Sequence, residues 1–451
     1  MTARAAVDQL AARSPQLLLS PRRRDTPLSG AWRVRDLLAL DGEGPTADRL
    51  AVAVVEGPTG AVFVAPVVED RSGARRAQPG DGVAEALVAQ LVAGPGRRGD
   101  FELEVLHSAA ARGEREIPVD QTNESVAVGD QAVVKWLTWA DDHPAAPARL
   151  VRLARAGFTS MPRVWGFLWW HDGSRRLLLA SVSELLREAS DGWQWCVDDV
   201  RRFAAGECDL DEALGPVARA GAVVAQLHMA LSQGGSQRAG LGAAASWSAQ
   251  ALSRLDEALR LVDGDEGRRL HARAPAVRKV LAAIADVTDA QVVDVHGDLH
   301  VGQLLRHRRS EGGWDYAVTD FDGNPVLDQH ERNAPQPAAR DVAGFVQSLD
   351  HVGRVVLRRT SDVDVDAVRR WMVHARPAFL DAYQQALPAG STLYEPRLLR
   401  PFQVEQECRE FVYAATHLPR WRYVPDAALA ELVPLPGEPV TSTTGPERAE
   451  D

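Results

Sequence analysis

The sequence has few cysteines, no long apolar run and no excess of positive charge. Its three cysteines, among 451 residues, are widely separated, so they predict neither a disulfide framework nor a cysteine-based metal site. No run approaches the ~18 apolar residues of a membrane-spanning helix, and we therefore expect no membrane partner. The formal net charge of −11 argues against a nucleic-acid partner, because such proteins neutralise phosphates with clustered basic residues.

The N-terminal residues do not resemble a secretion signal. Three leucines at positions 17–19 are too few for the apolar core of a signal peptide, and three arginines follow at 22–24. The composition, 45% hydrophobic and 25% charged, is that of a globular protein with room for several domains. These features predict a cytoplasmic protein with more than one domain.

The first hundred residues have the pattern of a small α+β module. Residues 1–29 have no sustained periodicity and are predicted to form a loose arm. Two β-rich runs, 50–55 and 61–68, flank a stretch of turn residues, which is typical of a hairpin. Helical spacing follows at 81–92. We assign residues 1–100 to an N-terminal cap.

A β-rich lobe is predicted at residues 101–188. The segment contains apolar runs of strand length and one helical stretch at 147–156. The strand candidates are 101–106, 125–128, 131–137, 164–170 and 176–182.

The pattern becomes helical near residue 190, and residues 189–432 are predicted to form a mostly helical lobe. Residues 433–451, rich in proline, threonine and glycine, are predicted to be a disordered tail. The fold class is therefore α+β, with two lobes and a cleft between them. The helix candidates are 193–204, 211–232, 246–262, 267–286, 340–358, 365–386 and 396–416.

Two short segments of the helical lobe carry the densest chemical signal. The first is His-Gly-Asp at 296–298, followed by Gln303, and the second is Asp-Phe-Asp-Gly at 320–323. Each segment follows a short apolar run, which places Asp298, Gln303 and Asp320 on loops at the ends of neighbouring strands. Phosphoryl transfer needs such a set, because a carboxylate accepts the hydroxyl proton and oxygen ligands hold Mg²⁺ on the phosphates.

The spacing strengthens this interpretation. Protein kinases use His-Arg-Asp with an asparagine five residues after the aspartate, and then a separate Asp-Phe-Gly. Gln303 has the same offset from Asp298. A single aspartate is more often a turn residue, but the complete set in this order indicates a kinase-type site that uses ATP and Mg²⁺.

Lysine is nearly absent, which makes the position of one lysine informative. Only Lys135 and Lys279 occur among 51 basic residues. Lys135 lies in an apolar run of strand length in the β-rich lobe, where kinase-like sites hold the ATP phosphates with a lysine. The alternative is a lysine whose aliphatic stem covers a half-buried strand. We favour the phosphate role.

The ordered motifs resemble the aminoglycoside-phosphotransferase-like branch of the protein-kinase-like fold, whose catalytic motif is His-Gly-Asp. The chain most resembles the actinobacterial maltokinases and related glucosamine kinases, which have an N-terminal cap, glutamine as a metal ligand and an Asp-Phe-Glu/Asp-Gly motif. Residues 121–126 resemble the phosphate-loop segment of that family, and residues 340–344 resemble its motif after the metal loop. The resemblance extends over about residues 30–430.

The resemblance implies roles for individual residues. Asp298 would be the catalytic base, with Gln303 and Asp320 as Mg²⁺ ligands. The ATP-binding residues would be Lys135, Asn123 and Ser125 at the phosphates, and Ser183 and Leu185 in the hinge whose backbone meets adenine.

Two departures from the kinase pattern concern the β-rich lobe. It has no Gly-x-Gly-x-x-Gly, so a shorter loop would hold the phosphates. The helix predicted after Lys135 lacks the glutamate that ordinarily pairs with the lysine. Asp141 or Asp142 are the candidates to replace it.

The predicted C-terminal helix at 402–417 is the candidate acceptor site. Its polar face carries Gln406, Glu410 and Tyr413, and Trp421 follows closely. Carboxylate, amide and aromatic groups are a set that recognises sugars, although such a face is also typical of a solvated helix. The apolar stripe on the other side is formed by Val404, Cys408, Phe411, Val412 and Ala415.

The choice of acceptor depends on few residues. Gln406 with Glu410 resembles the glucosamine-kinase branch, and a glucosamine ammonium group gains from a carboxylate such as Glu410 or Asp298. We therefore predict a kinase that converts glucosamine to glucosamine 6-phosphate. The alternatives are a maltokinase that makes maltose 1-phosphate, an aminoglycoside phosphotransferase, and a non-catalytic nucleotide-binding pseudokinase.

Overall fold

The fold is given by a computed structural model, which describes residues 3–20, 29–40, 49–71, 73–117, 123–141, 143–309, 312–324, 327 and 329–435. The chain divides into two units. The first comprises Met1–Val151 with Pro162–Arg187, and the second comprises Arg152–Met161 with Glu188–Asp451. The first unit is rich in strands and the second in helices, which confirms the predicted α+β class. The cap boundary at residue 100 stays a prediction, and most of the predicted tail, residues 436–451, lies outside the described residues.

Within the described residues, eleven strands of the first unit form one sheet in which the observed pairs are antiparallel. Eight of them follow the order β1-β2-β3-β9-β11-β10-β6-β5, while β4 pairs with β3, β7 with β8, and β8 with β9. The strands are β1 (Arg33–Leu40), β2 (Arg49–Glu56), β3 (Val62–Asp70), β4 (Gly73–Arg76), β5 (Gly96–Arg98), β6 (Phe101–Val105), β7 (Glu114–Glu116), β8 (Glu124–Val128), β9 (Ala132–Asp141), β10 (Val164–Asp172) and β11 (Arg175–Glu184). The helices are α1 (Ala3–Arg13), α2 (Val83–Ala93) and α3 (Ala145–Arg155).

The predicted hairpin is β2–β3, and its strands are buried on both faces. Val52 and Val54 on one face belong to the core that contains α2. Ala51 and Ala53 on the other face belong to a separate core that contains α1. Because successive side chains of a strand point to opposite faces, two covered faces require the continuous apolar runs seen in the sequence.

The expectation of a loose N-terminal arm is wrong for residues 3–13, which form α1. Val7 and Ala11 of this helix are buried, and the Arg4 guanidinium donates a hydrogen bond to the Val34 carbonyl at 2.8 Å. The helix has few large apolar residues, so its periodicity in the sequence is weak. Its residues are mostly good helix formers, but a helix of 11 residues is only marginally stable by itself, so packing against the sheet stabilises it.

The second unit is mostly helical. The predicted helices of this unit are confirmed, and α12 was not predicted. Aspartate side chains cap three of the helices, since Asp191, Asp209 and Asp364 accept backbone N–H bonds in the first turns of α4, α5 and α10. The helices are α4 (Gly192–Ala204), α5 (Leu210–Ser232), α6 (Ala243–Leu261), α7 (Gly264–Ala282), α8 (Gln329–Asn333), α9 (Ala339–Arg359), α10 (Val365–Ala386), α11 (Leu399–His417) and α12 (Tyr423–Leu432).

Two small ladders interrupt these helices and support the loops of the two motifs. They are β12 (Gln237–Arg238) with β13 (Gln291–Val292), and β14 (Leu304–Arg308) with β15 (Trp314–Val318). Among the described helices, none has the length and apolar character that a membrane crossing requires.

Candidate active site

The loop at 296–298 is held by a buried carboxylate at the start of α9. The Asp341 side chain accepts backbone N–H bonds from His296 at 2.7 Å and from Gly297 at 2.9 Å. His228 Nε2 lies 3.2 Å from the same carboxylate, and its Nδ1 lies 2.8 Å from the Tyr383 hydroxyl. Burial opposes the charge of Asp341, but these partners keep the pKa of Asp341 below its ordinary value. The loop is therefore fixed by an ionised, buried anchor.

His296 links the two motif segments. Its Nε2 lies 2.8 Å from the Thr319 carbonyl and donates to it, since the carbonyl can only accept. The amide of Asp298 points at Nδ1 from 3.4 Å. Complete burial lowers the pKa of His296, so the ring is neutral, as this pattern of one donor and one acceptor requires. The imidazole thus has a structural role beside the loop.

Each of the two segments contains a glycine with a left-handed backbone conformation. Gly297 has a φ of +86° and Gly323 a φ of +74°, values that side chains disfavour. A Cβ atom on Gly297 would lie 3.6 Å from the Gly323 Cα atom. The predicted base Asp298 lies near the second motif, where Asn324 Nδ2 donates to its Oδ1 at 2.9 Å.

The predicted metal ligands Gln303 and Asp320 lie beside the paired ends of β14 and β15. The Gln303 carbonyl accepts a hydrogen bond from the Thr319 amide at 2.9 Å, which aligns the residues before and after the hairpin. Asp320 has a φ of +61°, a conformation that aspartate tolerates better than most residues. An amide and a carboxylate provide hard oxygen donors, so the pair fits Mg²⁺, which takes one or two protein ligands together with water and phosphate oxygens.

Three of the predicted acceptor residues, Gln406, Glu410 and Trp421, are joined by hydrogen bonds. Glu410 accepts hydrogen bonds at both carboxylate oxygens, from Gln406 Nε2 at 3.1 Å and from Trp421 Nε1 at 3.2 Å. Both donors are neutral, and Glu410 forms none of the ion pairs found among the described residues. A half-buried carboxylate with neutral partners is suited to receive a cation.

Aromatic rings connect this acceptor group with the metal loop. The Trp193 ring lies 6.1 Å from the Trp421 ring and 6.3 Å from the His300 ring. His300 in turn has its Nε2 atom 3.4 Å from the Gln303 amide nitrogen. Trp193 therefore packs between the two halves of the candidate site.

Behind Trp421 lies a buried ion pair of His351 and Glu407. The His351 ring contacts the Trp421 ring edge-to-face at 6.2 Å, and its Nε2 lies 3.0 Å from the Glu407 carboxylate. Although burial opposes the charge, Glu407 raises the pKa of His351 to about 9. The pair is thus charged near neutral pH, and its histidine packs against the indole of Trp421.

Tyr413, also predicted to contact the acceptor, is not part of the hydrogen-bonded group around Glu410. Its side chain is 47% exposed, and its ring lies 5.3 Å from that of His417. Its role as a sugar platform stays a prediction.

The predicted phosphate residues of the first unit lie on adjacent strands. Lys135 on β9 is half-buried and is paired with Ser125 on β8 and with Ser181 on β11. The Asn123 side chain accepts a hydrogen bond from the Thr138 amide at 3.2 Å. Asp142 and the side chain of Asp141, the suggested partners of Lys135, lie outside the described residues.

The predicted hinge contains the end of β11. Ser183 is paired with Val133 of β9, and the Leu185 amide donates to the Gln131 carbonyl at 2.8 Å. The contact of these residues with a nucleotide base stays a prediction.

Sequence reasoning did not identify three residues of the site. Asn324 directly follows the second motif, and this position is the one feature of the sequence that could have indicated its place in the site. Asp341 falls in the family-like segment 340–344, but its partners are distant in the chain. Trp193 lies outside the sequence motifs, and nothing in the sequence places it beside Trp421.

No protein-family model matches the chain. A protein named glucosamine kinase from Streptacidiphilus jiangxiensis is 47% identical over 440 residues, which cover 94% of this chain and 97% of the relative. Another of that name from Mycolicibacterium smegmatis is 44% identical over 381 residues, covering 82% and 92%. A solved structure described as glucosamine kinase in complex with glucosamine, ADP and inorganic phosphate is 45% identical, with a TM-score of 0.79, and the match covers 95% of this chain and 99% of that one.

Proposed function

This chain belongs to the glucosamine kinase family, and we propose that it transfers the γ-phosphate of ATP to the 6-hydroxyl of glucosamine. The membership confirms the resemblance to glucosamine kinases drawn from the motifs. Of the alternatives that the sequence left open, the relatives favour the amino-sugar kinase over the maltokinase, the aminoglycoside phosphotransferase and the pseudokinase.

In the proposed reaction, Asp298 accepts the proton of the attacking hydroxyl. Asn324 occupies one carboxylate oxygen, Oδ1, and within the described residues Oδ2 has no hydrogen bond. Oδ2 can therefore point to the acceptor while Oδ1 is held. The bond from the 6-oxygen to phosphorus forms as the bond from phosphorus to the β,γ-bridging oxygen breaks, and ADP leaves.

Magnesium is the proposed cofactor, with Gln303 and Asp320 as its protein ligands. The ion would offset the negative charge that develops on the transferred phosphate group. The ATP phosphates are proposed to be oriented by Lys135, Ser125 and Asn123. The adenine ring is proposed to contact the backbone of Ser183 and Leu185. Because ATP is made available in the cytoplasm, we propose that location for the enzyme.

The observation that carries the choice of acceptor is the environment of Glu410. Its two oxygens accept bonds from the amide of Gln406 and the indole of Trp421, and Glu410 forms none of the ion pairs found among the described residues. An amino sugar supplies an ammonium group, whereas glucose and maltose do not. Tyr413 is proposed to contact the sugar from the same helix.

The test is an ADP-release assay with Mg²⁺ and ATP over a panel of glucosamine, N-acetylglucosamine, glucose, maltose and kanamycin. Selective turnover of glucosamine is expected, because acetylation removes the charge and glucose lacks the amine. Turnover of maltose or kanamycin in preference would contradict the proposed acceptor. Asp298→Asn should lose turnover yet still bind ATP, which separates a catalytic failure from a failure to fold.

A further inference from the structure

The two proposed metal ligands lie at the two ends of one hairpin. Gln303 directly precedes β14, and Asp320 lies two residues after the end of β15. Among the described residues, this ladder has two strands. A two-stranded hairpin is marginally stable by itself and needs to pack against another element. Because Mg²⁺ demands near-ideal octahedral geometry, the placement of its two ligands depends on the element that packs against this hairpin.

Helix α4 is in direct contact with the chain on both sides of Gln303. A Cβ atom on Gly192, the first residue of α4, would overlap the Val301 carbonyl oxygen, so the two backbones touch. Directly before the helix, Ser190 exchanges two backbone hydrogen bonds with Arg306, at 3.0 and 2.9 Å. The start of α4 therefore lies against both the turn that precedes Gln303 and the strand that follows it.

Trp195 of α4 contacts both strands of the hairpin. Its indole Nε1 donates a hydrogen bond at 2.8 Å to the carbonyl of Leu304, the residue after Gln303. Its ring meets the Tyr316 ring of β15 edge-to-face, with 5.5 Å between the ring centroids. Trp195 is buried, and so is Leu304. A buried carbonyl needs a protein donor, and the indole N–H supplies one directly beside the proposed metal ligand.

One turn further along α4, Asp199 contacts the same strand. The Arg306 Nη1 atom donates to both carboxylate oxygens of Asp199, at 3.1 and 2.8 Å. The Arg306 guanidinium also lies 5.4 Å from the centroid of the Trp195 ring. Trp195 and Asp199 share one face of α4, because residues four positions apart on a helix are neighbours. This face is thus attached to the strand that begins beside Gln303.

We propose that Trp195 is a positioning residue for the metal site. By contacting both strands of the hairpin, it sets the separation of Gln303 and Asp320, and with it the affinity for a divalent cation. Asp199 assists from the next turn through Arg306. The inference rests on the Mg²⁺ site of the proposed function and assigns Trp195 no contact with the ion or with either substrate.

The test is isothermal titration calorimetry of ADP into the full-length protein, once with saturating Mn²⁺ and once with EDTA. Mn²⁺ is the probe because it prefers the same oxygen ligands as Mg²⁺. The ratio of the two Kd values measures how much the ion strengthens ADP binding, and it requires no turnover. The main variant, Trp195→Phe, keeps an aromatic ring but removes the indole N–H. The matched control is Trp371→Phe, because Trp371 is also buried in the helical unit and its Nε1 donates to the Ala213 carbonyl at 3.4 Å.

We expect Trp195→Phe to lower the ratio about tenfold, as for other groups that support metal ligands. Its Kd for ADP in EDTA should equal that of the wild type, and Trp371→Phe should keep the wild-type ratio. If Trp195→Phe does not fold, Asp199→Asn tests the same attachment and should lower the ratio by a smaller factor. Its control is Asp198→Asn, at the exposed neighbouring carboxylate, which should keep the wild-type ratio.

The proposal is overturned if Trp195→Phe keeps the wild-type ratio, or if Trp371→Phe lowers the ratio equally. For the second pair, equal ratios in Asp199→Asn and Asp198→Asn overturn it. Asp320→Asn is titrated in parallel to separate this inference from the proposed function. A wild-type ratio in Asp320→Asn would overturn the metal site itself and the inference with it. A lowered ratio in Asp320→Asn alone would overturn the role of Trp195 and leave the proposed metal site standing.

Discussion

The amide nitrogen of His296 lies 2.7 Å from the Asp341 carboxylate, and this bond ties the catalytic loop to the first turn of α9. Asp341 is 2% exposed, so its charge is stabilised by the protein rather than by water. The helix N-terminus adds a favourable dipole for the carboxylate. The position of Asp298, two residues after His296, therefore depends on a group that need not touch the substrate.

Asp341→Asn should reduce both stability and turnover. The substitution removes the charge that His228 faces and turns an acceptor into a donor opposite two backbone N–H groups. We expect a loss of about 3–5 kcal/mol in unfolding free energy, measured by urea denaturation. In the fraction that folds, kcat should fall about 100-fold, as expected for a displaced base.

Asp350→Asn is the matched control, because it removes a carboxylate from the same helix. Asp350 pairs with Arg354 at 2.6 Å, away from the loop. It should lower stability with little change in kcat. Equal effects of both variants on kcat would contradict the role of Asp341 as the anchor of the loop.

Asn324→Ala should slow the reaction by acting on Asp298. Loss of the 2.9 Å hydrogen bond frees the carboxylate to rotate, and we expect kcat/KM to fall about tenfold, equivalent to about 1.4 kcal/mol. The measurement is a double-mutant cycle with Asp298→Asn. In that background Asn324→Ala should have no further effect, and an additive loss would show that Asn324 acts independently.

Gly297→Ala should impair turnover more than its cost in stability suggests. A side chain at φ +86° is strained, and this strain would act on the loop that carries Asp298. Gly173 is the control, because it has a φ of +62° and a Cβ atom added there would have no other atom within 4 Å. Both variants should lose about 1 kcal/mol of stability, but only Gly297→Ala should lose activity. Full activity in Gly297→Ala would contradict the dependence of turnover on the backbone conformation of this loop.

The ion pair of His351 and Glu407 predicts a pH-dependent stability. The pKa of His351 is raised to about 9 in the folded protein, against about 6.5 for an unperturbed histidine. Its contribution is therefore complete below about pH 6.5, decreases as the pH rises, and is lost above about 9. Thermal unfolding at pH 6, 8 and 10 should show the stability advantage over His351→Asn shrinking with pH. His374→Asn, at an exposed histidine, should show no such trend, and a constant advantage over His351→Asn would refute the charged pair.

Local pattern was enough to predict much of the fold. The hairpin β2–β3 and the helices α4–α7 and α9–α11 follow from apolar periodicity and turn residues. Helix α1 was missed because Val7 and Ala11 become informative only when packed against the sheet. Helix α12, ten residues long, was missed as well.

The site was predictable where its residues are close in sequence. Asp298, Gln303 and Asp320 lie in two short motifs, and Gln406 and Glu410 are one helical turn apart. By contrast, Asp341 and Trp193 join the site through tertiary contacts that no local spacing encodes. The α11 residues Gln403, Glu405 and Glu407 are also buried, and each forms a hydrogen bond with a partner on α9.

The central claim, that the carboxylate of Glu410 selects the amino sugar, is tested most directly by kcat/KM for glucosamine and glucose in the wild type and in Glu410→Gln. The substitution keeps the size of the side chain but removes its charge. We predict that kcat/KM for glucosamine falls about 10–100-fold, as for loss of a charge-assisted hydrogen bond, while that for glucose changes little. An equal loss for both sugars would mean that Glu410 does not recognise the amine, and would contradict the account.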